Sequence, residues 1–217
     1  AYVELHVRGA RMDLHSGAFG GAAPNPINGL AKMIAALHDE TGRVAVPGFY
    51  DAVLDITPDE REVFKRAPFD EEALKKELGV SALPGEPGYT ALERLWARPT
   101  LDCNGVGGGF QGAGSKTVVA AHAVAKISCR LVPNQTPQEI TNKLGNFLRS
   151  LAPEGLTVEV IDLHGGDGVL TPLDSRAVQA AGRALAAVYG KEPVFARTGG
   201  TIPVGSTFQK ILGADVV

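Results

Sequence analysis

The stretch KISCRLVPNQTPQEI, residues 126–140, decides the fold. Ile127, Cys129 and Leu131 alternate with Lys126, Ser128 and Arg130, the period of a strand with one face buried. Pro133 ends that strand, since it has no N–H to give to a ladder. Thr136 and Glu139 then have the spacing of a capping box, in which hydroxyl and carboxylate each satisfy a free N–H at a helix start. Ile140, Leu144, Phe147, Leu148 and Leu151 continue as the apolar stripe of that helix. Residues 156–163 predict the strand that follows it. Upstream, 118–132 reads as one continuous strand and 100–106 as the strand before it. At the N-terminus, Val3, Leu5 and Val7 alternate with Glu4, His6 and Arg8 in a strand over 2–8. Asn25-Pro26 then opens a helix, as cap and first helical residue. Ile27, Leu30, Ile34 and Leu37 line one face of it, and Gly42 is expected to close it. The order is β-α-β-β-α-β, the ferredoxin-like split βαβ pattern, and the fold class is α+β.

Two regions stand outside that pattern. Residues 43–100 are rich in Pro and charge and predict an insertion of short helices, at 58–66 and 70–78, without a sheet of its own. Past GGDG at 165–168, the sequence predicts a helix over 173–189, a short strand at 193–196, a helix through Phe208 and Ile211, and the start of a strand at the end. The organisation is therefore 1–165, carrying the 43–100 insertion, followed by 166–217 as an incomplete α/β piece.

Composition narrows the function. The chain has 217 residues, 21 Lys and Arg against 24 Asp and Glu, a net charge of −3, and 44% hydrophobic residues. That balance excludes a disordered chain and the basic field that nucleic-acid binding needs. No apolar run is long enough for a membrane helix, and the first residues do not read as a signal peptide. Cys103 and Cys129 make no disulfide framework and no zinc spacing, so a reducing, cytoplasmic setting is the default.

Several motifs carry chemistry. The segment GGGFQGAGSKT, 107–117, contains G-x-G-x-x-G at Gly107, Gly109 and Gly112, but a strand follows it and not the helix that a dinucleotide site requires. Ser115 stands where a P-loop has Lys. A glycine-rich β–β connection that lets a ligand or partner approach closely is the better reading. His15 lies in the Gly-rich segment DLHSGAFGG, 13–21, either as an exposed donor able to polarise a carbonyl or as a side chain that holds the turn. His6, His38, His122 and His164 show no metal-ligand spacing. Glu71-Glu72 reads as a solvated helix start. Arg130 at a strand end is either a carboxylate clamp or a surface Arg. Gly199-Gly200-Thr201 before a helix is either an anion site or a turn.

Taken together, DLHSGAFGG (13–21), GAGSKTVV (112–119), CRLVPNQTPQEI (129–140) and RTGGTIPVGSTFQ (197–209) resemble the zinc-dependent peptidase and amidohydrolase family. That family includes carnosinase-like dipeptidases, carboxypeptidase G, acetylornithine deacetylase, succinyl-diaminopimelate desuccinylase and aminoacylase. The long insertion resembles the dipeptidase branch. The resemblance implies a ferredoxin-like lid that dimerises, inserted into a catalytic domain with two zinc ions. It implies hydrolysis by zinc-bound water, on a small peptide or acylated amino acid. The metal ligands and the base are expected outside these residues, so the chain is expected to be a piece of a longer enzyme, inert alone and without a zinc ligand. His15 matches the lid histidine that stabilises the oxyanion in the dimer mate's site. Thr117 matches the lid residue that contacts substrate across the dimer. Arg130 matches the arginine that binds the substrate carboxylate, and Gly200 and Thr201 match a Gly-Ser pair that also holds it. Thr198 stands where dipeptidase relatives often carry Glu. The rival reading is a non-catalytic ferredoxin-like dimerisation or ligand-binding module.

Overall fold

The structure, a computed structural model, describes residues 1–197 and 204–217. Its elements are β1 (Tyr2–Arg8), β2 (Leu14–His15), α1 (Ser16–Phe19), α2 (Pro26–Ala35), α3 (Pro58–Lys65), α4 (Glu71–Leu78), α5 (Ala91–Ala97), β3 (Thr100–Gly108), β4 (Val118–Val119), β5 (His122–Arg130), α6 (Pro137–Ser150), β6 (Thr157–His164), α7 (Arg176–Tyr189) and α8 (Val204–Thr207). A π-helical turn, Phe208–Leu212, continues α8. The chain divides into two compact units. One comprises Ala1–Asp51, Thr100–Cys129 and Pro137–Gly165; the other comprises Ala52–Pro99, Arg130–Thr136 and Gly166–Val217.

The first unit carries the expected α+β fold. Its sheet runs β3-β5-β1-β6, and β1 is antiparallel to both neighbours. With β2 and β4 set aside, the long strands lie in the order second, third, first, fourth, as in the split βαβ pattern. Val3, Leu5 and Val7 pair with Ile127, Ala125 and Ala123, and all six are essentially inaccessible. Leu30 and Met33 of α2 and Ile140, Leu144 and Leu148 of α6 complete the core. Burying five such side chains stabilises the unit by roughly 1.5–3 kcal/mol each. Gly29 lets α2 approach closely: a Cβ there would stand 2.4 Å from Leu156 Cδ1.

Three expectations for this unit are corrected. The helix after Asn25 ends at Ala35 and not at Gly42: from Leu37 the chain folds back on itself, with the Ala45 N–H donating to the Leu37 carbonyl, His38 bridged to Val44, and the turn between closed by the Asp39 carboxylate accepting the N–H groups of Thr41 and Arg43. Its buried face passes through Met33 in place of Ile34. The strand expected over 118–132 is broken: Val118–Val119 pairs with Leu14–His15, and only from His122 does the chain enter the main sheet. Asp13 makes the break by accepting the Ala121 N–H at 2.8 Å. Leu131 lies beyond β5, and Val132 donates its N–H to the Gln135 side chain in place of a ladder.

The second unit contains the helices of the insertion. Ile56, Phe64, Leu92 and Ala97 form a small core with Phe69, Tyr89 and Trp96 packed against it. Thr57 with Glu60, and Thr90 with Glu93, close complete capping boxes on α3 and α5. Arg98 and Glu86 form a buried two-pronged ion pair at 2.7 and 2.8 Å. No strand forms in this unit among the described residues outside Arg130, so the strands expected at 193–196 and after Gly213 are corrected to irregular chain. A strand needs a neighbour to take its N–H and C=O groups, and the described residues supply none there. Helix α7 starts at Arg176, capped by Ser175, slightly later than expected.

Candidate functional site

The site is built on the ribbon of β2 and β4. Leu14 pairs with Val119 and His15 with Val118. The Ser16 N–H donates to the Thr117 carbonyl at 3.1 Å and closes the ribbon end. Asp13 holds the other end through Ala121. His15 is the N-cap of α1, with its Nδ1 accepting the Gly17 N–H at 3.0 Å. Its Nε2 lies 3.1 Å from Thr117 Oγ1. A neutral imidazole carries one ring proton. With Nδ1 accepting, that proton sits on Nε2 and is donated to the Thr117 hydroxyl. Both side chains are exposed, so the pair presents the Thr117 O–H, and an Nε2–H that a docking acceptor can draw off Thr117.

The structure therefore brings His15 and Thr117 together across 102 residues of chain. Arg130 is exposed at the last position of β5. Gly200 and Thr201, with Thr198 and Gly199, lie outside the described residues. The glycine-rich segment runs from β3 into β4, strand to strand, and its residues 109–117 are exposed. Glu71 is more than a solvated helix start, because its Oε1 accepts the Ala91 N–H at 2.9 Å and links α4 to α5; Glu72 is the exposed one, paired with Lys75.

One polar group on the open face of the main sheet was not legible beforehand. His6 Nδ1 and His122 Nε2 are 3.0 Å apart, and His6 Nε2 is 3.2 Å from Glu4 Oε2. The His6 hydrogen bond holds the Glu4 carboxyl below its ordinary value, with Lys126 helping. Burial pushes the His122 pKa down, and the charges of Arg8 and His6 add to it. The strand period put His6 on the polar face; only the register of β1 on β5 puts it beside His122. Cys129 is buried, and burial pushes its thiol up to about 12, so it is a packing residue without nucleophilic character. Among the described residues no group of three or more His, Cys, Asp or Glu is placed to hold a metal ion.

Residues 2–156 match the family described as the peptidase dimerisation domain. The chain is 33% identical over 221 residues to the Cys-Gly metallodipeptidase of Candida albicans, covering all of this chain and 45% of that protein. It is 30% identical over 223 residues to the human Beta-Ala-His dipeptidase, covering 43% of it. Among solved structures it superposes on an M20 family metallo-carboxypeptidase from Sulfolobus solfataricus with a TM-score of 0.82 at 36% identity, covering 99% of this chain and 48% of that one. The chain thus spans somewhat less than half the length of these relatives. With the sheet order, the ribbon and the match over most of its length, the chain belongs to the peptidase dimerisation domain family of the M20 metallopeptidases.

Proposed function

We propose that the chain is the dimerising and substrate-contacting part of a zinc-dependent dipeptidase. The observation that carries this reading is the His15–Thr117 pair, built on its own ribbon and turned to solvent in a domain whose relatives are metallodipeptidases. In the assembled enzyme, a homodimer, the His15 Nε2–H leaves the Thr117 hydroxyl and is donated to the oxyanion of the tetrahedral intermediate in the partner's site. Such a donor is worth roughly 3–4 kcal/mol where one has been removed. Thr117 contacts substrate beside it. Arg130, Gly200 and Thr201 hold the substrate's terminal carboxylate, for which a guanidinium fork and bare N–H groups are suited. The lid covers 1–165 and the catalytic domain resumes at 166; zinc ligands and the base come from outside this chain. The exposed edge strand β3 is the surface offered for dimerisation. The cytoplasm fits the two unbridged cysteines.

The test uses the full-length enzyme with Cys-Gly and β-Ala-His as substrates. His15→Ala is expected to lower kcat by ~10²–10³ with little change in KM. Mixing His15→Ala subunits with subunits lacking the catalytic base is expected to restore activity in heterodimers, since each then supplies what the other lacks. A mixture that stays inactive despite subunit exchange removes the role across the dimer. Cleavage of longer peptides only, with no dipeptide turnover, moves the reading to a carboxypeptidase like the Sulfolobus relative.

A further inference from the structure

We propose that Gly17 is a positioning residue that sets the tautomer and orientation of His15. The oxyanion reading above supplies only its kinetic consequence. His15 begins a short helical turn, and the Gly17 N–H donates to its Nδ1 at 3.0 Å. This contact fills the Nδ1 lone pair and excludes a proton there, so the neutral ring carries its hydrogen on Nε2. A histidine meant to donate outward needs that tautomer, and a free imidazole exchanges between two.

The contact also demands glycine. A Cβ on residue 17 would stand 2.8 Å from His15 Cε1 and 3.1 Å from Nδ1, and the first distance is closer than real Cβ atoms come. The ring is the movable partner because it is exposed. Any other L-residue at position 17 therefore swings the imidazole off the N–H and breaks the bond that selects the tautomer. Thr117 does a different job. Its Oγ1, 3.1 Å from Nε2, accepts the hydrogen bond from Nε2–H once the tautomer is set, and orients the far side of the ring. Gly17 chooses which nitrogen donates; Thr117 accepts that hydrogen bond.

Long-range ¹H–¹⁵N correlation spectra of the His15 ring, recorded on the 217-residue chain above the histidine titration range, test this directly. The expected signature is an unprotonated Nδ1 and a protonated Nε2. Gly17→Ala is expected to give averaged nitrogen shifts, with a far-UV spectrum and urea midpoint like the parent's. Thr117→Val is expected to keep the Nε2–H signature. A parent spectrum showing Nδ1–H overturns the proposal, even if Gly17→Ala fails to fold. So does a Gly17→Ala ring signature identical to the parent's, or a tautomer lost in Thr117→Val but kept in Gly17→Ala. In the full-length enzyme, Gly17→Ala is expected to lower kcat at least ~10-fold with KM within about twofold, part of the loss of a whole oxyanion donor. A confirmed Nε2–H signature beside a silent His15→Ala sinks the oxyanion reading alone and leaves the positioning by Gly17 standing.

Discussion

Replacing Glu86 by Ala tests how the helical insertion is held together. Arg98 and Glu86 side chains are 5% and 10% exposed and meet through two hydrogen bonds of 2.7 and 2.8 Å. The Arg98 guanidinium also lies over the Tyr89 ring, 4.3 Å from its centroid. Removing the carboxylate takes both of these hydrogen bonds and the adjoining negative charge from a buried guanidinium, which costs about 3–5 kcal/mol. The core beneath it is small, and a helical cluster of about fifty residues has about that much stability in all. The variant's helical cluster is therefore expected to be largely unfolded in buffer. Trp96, the chain's single tryptophan, packs edge-on against Phe64 at 5.2 Å in the same cluster and reports it. Its emission should shift to the red without denaturant, while the far-UV signal of the sheet persists. Replacing the pair together, Glu86→Leu with Arg98→Met, removes the stranded charge and should return the emission to the native position. An unchanged Trp96 emission in Glu86→Ala, with a urea midpoint within about 0.5 M of the parent's, refutes the reasoning, since a loss of about 3 kcal/mol moves a small unit's midpoint by at least about 1 M.

Three further outcomes are expected. His122 meets His6 at 3.0 Å and the charge of Arg8; His6 is held in turn by Glu4, itself beside Lys126, and Arg8 by Glu159 of β6, and burial with the charges of Arg8 and His6 depresses the His122 pKa below the ordinary 6.5. The unfolded chain then binds its proton first, so this contribution to stability is complete above about pH 6.5 and is lost as pH falls through the folded value; His122→Gln should flatten the urea midpoint's slope over that window, and an unchanged slope counts against it. A thiol reagent at pH 8 should modify exposed Cys103 in the native chain and reach buried Cys129 only in denaturant; early labelling of Cys129 would contradict its burial. In the full-length enzyme, Arg130→Ala should raise KM strongly with a smaller effect on kcat, because a grip on the substrate carboxylate exists in ground and transition states alike. An unchanged KM would return Arg130 to the role of a surface arginine.

Local signals were legible because their physics is local. The alternation in 2–8, the Asn-Pro start of α2, the stripe of α6 and the short charged helices at 58–66 and 70–78 each rest on signals within a few residues, and each element formed close to where its signal stood. Helices α3 and α5 carry capping boxes at Thr57 with Glu60 and at Thr90 with Glu93, of the same spacing as Thr136 with Glu139, and could have been read on that ground. His15, Thr117 and Arg130 were singled out by their motifs without any knowledge of what they touch. What depended on tertiary structure is every pairing between distant segments. The break in 118–132 comes from a carboxylate at Asp13, more than a hundred residues away. The His6–His122 contact follows from the register of β1 on β5, and the His15–Thr117 contact from a ribbon of two residues a side. A period of two tells which face a side chain takes but not which neighbour it meets. That choice is made by the burial of Val3, Leu5 and Val7 against Ile127, Ala125 and Ala123, since a slip of one residue would turn all of them to water.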